Sequence, residues 1–187
     1  MYECVFLHGV SGTGKRSTID GVLHLLQEMH SNIIIVKLSC LEAKTFQWVL
    51  YTTLFKLIEQ IRDQVISKQE NFDEELVNIC YKFPRSISQS FFIRILSKLD
   101  PFRVAFVFTA SEQLIRLDSK KGILLPFLTK IHEWTCGKAC LFMISTQPWD
   151  SYKGTSRLIR FKPLIILFPQ YTSGIFICCV LLIKKNN

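Results

Sequence analysis

The chain has no Cys-x-x-Cys pair and no histidine cluster near its cysteines, so the ligand spacing of a structural zinc site is missing. Its seven cysteines, Cys4, Cys40, Cys80, Cys136, Cys140, Cys178 and Cys179, are odd in number, scattered and mostly set in apolar stretches. That pattern argues for reduced thiols in an intracellular protein. Cys136 and Cys140, separated by a loop-like glycine, read as a helix end and a strand residue rather than metal ligands. No basic segment precedes an apolar run at the start, which removes a secretory signal; "MYECVFLHG" reads as a strand running into a loop. Basic blocks are missing too. The net charge is +8, yet the only adjacent basic pairs are Lys15 with Arg16, Lys120 with Lys121 and Lys184 with Lys185. A solvated basic surface accounts for this charge without a nucleic-acid groove. Finally, no charge falls between Leu164 and Ile183. That length suits a membrane span, but "FPQYTSG" interrupts it, so a buried strand followed by a separate apolar end is expected.

What remains is a chain of 187 residues, 49% hydrophobic, enough for one domain with a substantial core. It has no internal repeat and no low-complexity tract, and apolar periodicity alternates between strand and helix. Strands are expected at about 3–7, 32–40, 103–110, 139–146 and 161–168. The first helix carries Ile19, Val22, Leu23, Leu26 and Met29 at helical spacing. A long second helix carries one stripe from Phe46 through Val49, Leu50, Leu54, Leu57, Ile58 and Ile61 to Val65. A polar loop at 68–75, a helix at about 86–99 and a helix ending near Gly137 complete the reading. Alternating strands and helices of this kind imply a parallel sheet covered on both faces.

The chemistry concentrates at Gly9-Val10-Ser11-Gly12-Thr13-Gly14-Lys15, which matches a phosphate-binding loop between a strand and an amphipathic helix. Glycines let the backbone N–H groups converge on phosphate oxygens, the helix adds its positive N-terminus, and Lys15 supplies an ammonium for the outer phosphates. The next position ordinarily gives Mg²⁺ a hydroxyl. Here it is Arg16. Ser17 follows, turned about 100° around the helix, so it does not simply take over that role. Two readings stay open: Arg16 points into solvent and leaves magnesium weakly held, or it sits near the metal position and offsets phosphate charge itself. The strand "VAFVF" ends in Thr109-Ala110-Ser111-Glu112. Glu112 supplies the acid expected near a metal, but Thr109 stands where an aspartate would hold the ion. With both supports altered, no metal site is expected and little hydrolysis follows.

Together with the loop, "VAFVFTASEQLIRLD", "GILLPFL" and "LFPQY" carry a resemblance to the subunit 5 family of the eukaryotic origin recognition complex, over about positions 3–174. The resemblance implies an α/β P-loop NTPase of AAA+ type: a three-layer α/β/α sandwich with a five-stranded parallel sheet in the order 5-1-4-3-2. It implies ATP held as a structural element, with Gly9, Val10, Ser11, Gly12, Thr13, Gly14, Lys15, Arg16, Ser17 and Thr109 as the site positions, while the departures from the family at Arg16 and Thr109 leave magnesium weak or absent. Ser145 or Thr146 stands where the family senses the outer phosphate, a plain strand-end hydroxyl being the other reading. Arg157 and Arg160 precede the fifth strand, where such subunits can present an arginine to a neighbour's nucleotide; ordinary loop arginines are the alternative. Implied partners are other origin recognition complex subunits and, through the complex, origin DNA in the nucleus; no membrane partner is favoured. Relative to the family, residues 1–170 read as the core without its lead-in, 171–187 as a divergent apolar tail, and the lid and winged-helix domain as missing. An active P-loop NTPase or small kinase with Glu112 as base, and a membrane-anchored fragment held by residues 164–183, are the competing readings.

Overall fold

A computed structural model describes residues 4–67, 72–118, 122–153 and 161–170. The first strand, β1 (Cys4–Gly9), runs through the glycine loop into α1 (Lys15–Met29). β2 (Ile33–Ser39) ends in a 3-10 turn at Cys40–Glu42 and is followed by the long α2 (Phe46–Ser67). Two shorter helices, α3 (Glu74–Tyr81) and α4 (Gln89–Ser97), lead to β3 (Arg103–Thr109). Beyond it come α5 (Glu112–Asp118), α6 (Leu124–Thr129), α7 (Ile131–Trp134), β4 (Ala139–Ser145), α8 (Asp150–Lys153) and β5 (Leu164–Phe168).

All strand pairs are parallel, and the sheet order is β2-β3-β4-β1-β5. Read from the other edge, this is the 5-1-4-3-2 order expected from the resemblance. The hydrophobic pattern explains the layers. β3 buries Val104, Ala105, Phe106, Val107 and Phe108 in succession, the continuous apolar run of a strand covered on both faces. Val104, Phe106 and Phe108 join a large core with α2, α4, α6 and α7, whereas Ala105 and Val107 join a smaller one with Leu7, Ile19, Leu23, Ile35 and Ile144. Helix α2 lies on the larger side because Val49, Leu50, Leu54, Leu57, Ile58, Ile61 and Val65 are all buried on one face. Thr45 caps its start by accepting from Trp48 N at 3.1 Å.

Several expectations need correction. Residues 68–75 are not loop throughout: Asp73 accepts from Glu75 N at 2.9 Å and starts α3, which was not anticipated. The helix expected to end near Gly137 is broken into α6 and α7. Thr129 Oγ1 bonds back to Leu125 O (2.9 Å), Lys130 leaves helical geometry, and the chain then turns through Cys136 and Gly137 at positive φ. The fifth strand begins at Leu164 rather than 161, after Pro163, which lacks an N–H. It is also not buried: among the described residues it is an edge strand that pairs only with β1, and Ile165, Ile166 and Leu167 are exposed. Val22 and Met29 of the first helical stripe are exposed as well, since α1 meets the sheet mainly through Ile19 and Leu23. Among the described residues no helix is long and apolar enough to cross a membrane. Residues 171–187, read above as the divergent apolar tail, lie outside the described residues.

Candidate functional site

The C-terminal ends of β1, β3 and β4 lie side by side, with His8 opposite Ser145 and Thr109 opposite Ile144. In an open parallel sheet this is the edge at which ligands bind. A cleft of about 380 Å³ opens there, bordered by Ser11 to Ser17 on the loop side and by Ala110, Glu112, Ile144, Ser145 and Thr146 on the other.

The loop has the backbone that its glycines permit. Gly12 and Gly14 have φ of 83° and 79°, and Gly14 in this left-handed form is the residue from which α1 starts. Gly9 has φ 154°, and a Cβ there would collide with the Phe168 carbonyl oxygen of β5. Glycine at position 9 is therefore required both by its dihedral and by the approach of the edge strand. Thr13 Oγ1 donates to Val10 O at 2.8 Å and closes the loop on itself.

Lys15 is buried at the base of this loop. Its Nζ donates to Gly9 O and Val10 O, both at 2.7 Å, and lies 3.3 Å from Thr13 Oγ1. Burial lowers its pKa from the ordinary lysine value, and the Glu112 carboxylate opposes that shift. Glu112, the first residue of α5, is half-buried on the far side and clasped by Thr146, whose hydroxyl and backbone N–H donate to its two oxygens at 3.1 and 3.4 Å. A cation and a carboxylate thus face one cleft from opposite walls.

Other anticipated site residues are placed differently. Thr109 turns toward β2, its Oγ1 donating to Leu38 O at 3.4 Å. Ser145 is buried, and its hydroxyl accepts from Gln147 N (2.9 Å) and Tyr152 Oη (3.0 Å), so Thr146 is the strand-end hydroxyl that meets Glu112. Arg16 is 72% exposed and lies against Asp20 of its own helix, Nε to Oδ2 3.9 Å. Ser17 borders the cleft one position on. Arg157 and Arg160 lie outside the described residues.

Sequence reasoning missed Tyr152. Its hydroxyl joins Ser111 Oγ (2.9 Å) to Ser145 Oγ, tying the end of β3 to the end of β4 at the residues that immediately precede Glu112 and Thr146. Its ring stacks on Trp149 and meets Phe6 of β1 edge-on at 5.1 Å. The sole sequence signal was the three-residue spacing of Trp149 and Tyr152, which says that they share a helix face but not what the phenol touches. Ala110 was missed as well: it takes φ 51° to lead β3 into α5 along the cleft wall. Cys40, buried just past β2, has its thiol pushed up to about 12 by burial and by the Glu112 charge. It is inert packing rather than a nucleophile.

The arrangement suits a phosphate chain: loop amides, a helix N-terminus and a lysine on one wall. It suits Mg²⁺ poorly, because position 16 offers no oxygen and the oxygen at position 109 is turned to β2. Among the described residues no group of three His, Cys, Asp or Glu could hold a metal ion.

Sheet order, glycine loop and flanking helices have the α/β fold of AAA+ P-loop proteins. No family model matches the sequence, and no curated protein does. Among solved structures, the chain is similar to Drosophila ORC bound to DNA, at TM-score 0.65 and 16% identity over 92% of this chain and 39% of that one. It is similar to the ADP form of the Aeropyrum pernix ORC2 protein, at TM-score 0.65 and 9% identity over 97% of this chain and 46% of that one. CDC6P from Pyrobaculum aerophilum aligns at TM-score 0.55 and 18% identity, over 97% of this chain and 42% of that one. The fold is therefore the ORC/Cdc6-like AAA+ fold, and the chain spans less than half the length of each of these relatives.

Proposed function

We propose that this chain is the nucleotide-binding core of a subunit in a replication-initiation assembly of the origin recognition complex type. ATP serves there as a structural element and is hydrolysed little if at all. The observation that carries the reading is the phosphate loop with buried Lys15, set at the strand ends opposite Glu112. The phrases "GILLPFL" and "LFPQY" support subunit 5 as the particular type. Two of the similar structures, one bound to DNA and one in an ADP form, support nucleotide and DNA as the ligands of the assembly. In this reading Gly9 to Ser17 hold the phosphates, Thr146 meets the outer phosphate and Glu112 is a remnant of the hydrolytic acid. Sister subunits flank the core in the nucleus, and DNA is met through the complex. Residues 1–170 make up the core.

The rival from the enzyme class is an active NTPase with Glu112 as base, which its place on the cleft wall permits. Magnesium-dependent turnover abolished by Lys15→Ala would favour that rival. For the leading reading, the test is affinity purification of the full-length protein from its own cells. Recovery of other origin-complex subunits is expected, and their consistent absence would overturn the assignment.

A further inference from the structure

This inference rests on the nucleotide reading above and concerns what neutralises the outer phosphates. The two positions from which a phosphate loop and its neighbouring strand ordinarily hold Mg²⁺ do not offer it a ligand here. Position 16 is an arginine, and the Thr109 hydroxyl is directed to Leu38 O at 3.4 Å. Mg²⁺ demands near-octahedral oxygen coordination and gives up its waters reluctantly, so losing both ligands removes most of the protein's hold on it.

Position 16 carries a second cation instead. Arg16 is the second residue of α1, borders the cleft and is 72% exposed. Its tie to Asp20 is an exposed pair at 3.9 Å, the sort that contributes little to stability. Asp20 also keeps a nearer partner: its Oδ1 lies 2.8 Å from Lys37 Nζ of β2. Rotation of Arg16 away from Asp20 therefore strands no charge. A guanidinium presents paired N–H donors that match two phosphate oxygens, a geometry that an ammonium lacks. Lys15 below and Arg16 above would then flank the same phosphates, with the α1 amides between them.

We propose that Arg16 replaces the metal, so that the cleft binds a nucleoside triphosphate without Mg²⁺, with Lys15 and Arg16 as its counter-charges. The competing source of metal binding is Ser17, which also borders the cleft. Equilibrium binding of ATP to the full chain, in excess MgCl₂ and in EDTA, separates the possibilities. The variants are Arg16→Ser, Arg16→Lys, Ser17→Ala and Lys15→Ala, each checked for native folding by circular dichroism.

The native chain is expected to bind ATP with affinities within about threefold in the two buffers. Arg16→Ser should lose about tenfold or more in EDTA and recover with MgCl₂, and Arg16→Lys should lose less, because it keeps the charge but not the fork. Ser17→Ala should leave the ratio of the affinities in the two buffers within the same threefold, whatever it does to binding itself. Native binding that requires MgCl₂, falls with Ser17→Ala or Lys15→Ala and ignores Arg16→Ser would overturn the metal replacement while leaving the nucleotide reading intact. No ATP binding in either buffer, with none restored by Arg16→Ser, would overturn both.

Discussion

Tyr152 ties together the two strand ends that flank the cleft, although it does not border the cleft itself. Its hydroxyl is buried between Ser111 and Ser145, and each serine has a second polar neighbour, Ile144 O and Gln147 N respectively. Tyr152→Phe therefore removes one hydrogen-bonding centre without leaving either serine wholly unpaired, and should cost about 1–2 kcal/mol. Tyr152→Ala also removes the ring from Trp149 and Phe6 and should cost about 3–5 kcal/mol. Urea unfolding of both variants checks this; a neutral Tyr152→Phe would mean that the hydroxyl chain adds nothing to stability. Residues of this kind are poorly legible in a sequence. Lys15 and the glycines were readable because a phosphate loop is local, each residue type being fixed by the dihedral or charge at its own place. Tyr152 acts across β3 and β4, 41 positions from Ser111, and nothing near it in the chain signals that contact.

At the scale of elements, legibility followed length and continuity. The strands and α2 were readable because β3 presents five buried residues in a row and α2 repeats its stripe over six turns' worth of chain. The short helices were not. α3 has eight residues, and its start is set by the Asp73 side chain inside an acidic stretch that reads as loop. It is held to α4 by charge: Lys98 lies 2.8 Å from both Asp73 and Glu75, and Arg94 lies 2.8 Å from Glu75. Hydrogen bonds from Lys98 lower both carboxyl pKa values, and those same bonds raise that of Lys98. The carboxylates thus contribute stability above their unfolded pKa values and lose it as pH falls through the lowered folded ones. Lys98 contributes below its unfolded pKa and loses that contribution as pH rises through its raised folded value. The stability difference between the native chain and Lys98→Met should accordingly be level at neutral pH and shrink on acidification below the ordinary carboxylate range. Chemical unfolding measured across pH tests this, and a difference independent of pH would remove the ionic account of this helix pair.

For the whole molecule, the sheet order and the cleft agree on one design. Strand β1 is paired between β4 and β5, which brings the glycine loop beside the end of β4, while β3 on the other side of β4 delivers Glu112. The edge strand β5 reaches Gly9 closely enough to require glycine there. The expectation of a buried fifth strand failed because a run of apolar residues says that a strand is hydrophobic, not which neighbours cover it. Ile165, Ile166 and Leu167 are exposed at the sheet edge.

The central claim is that this cleft holds a nucleotide through Lys15, and thermal unfolding of the full chain with increasing ATP tests it most directly. A ligand bound only by the folded state raises stability by about 2.7 kcal/mol at a hundred times its Kd. The account predicts a melting temperature that rises with ATP concentration in the native chain and stays flat in Lys15→Ala. Equal shifts in both proteins, or none in either, would contradict it.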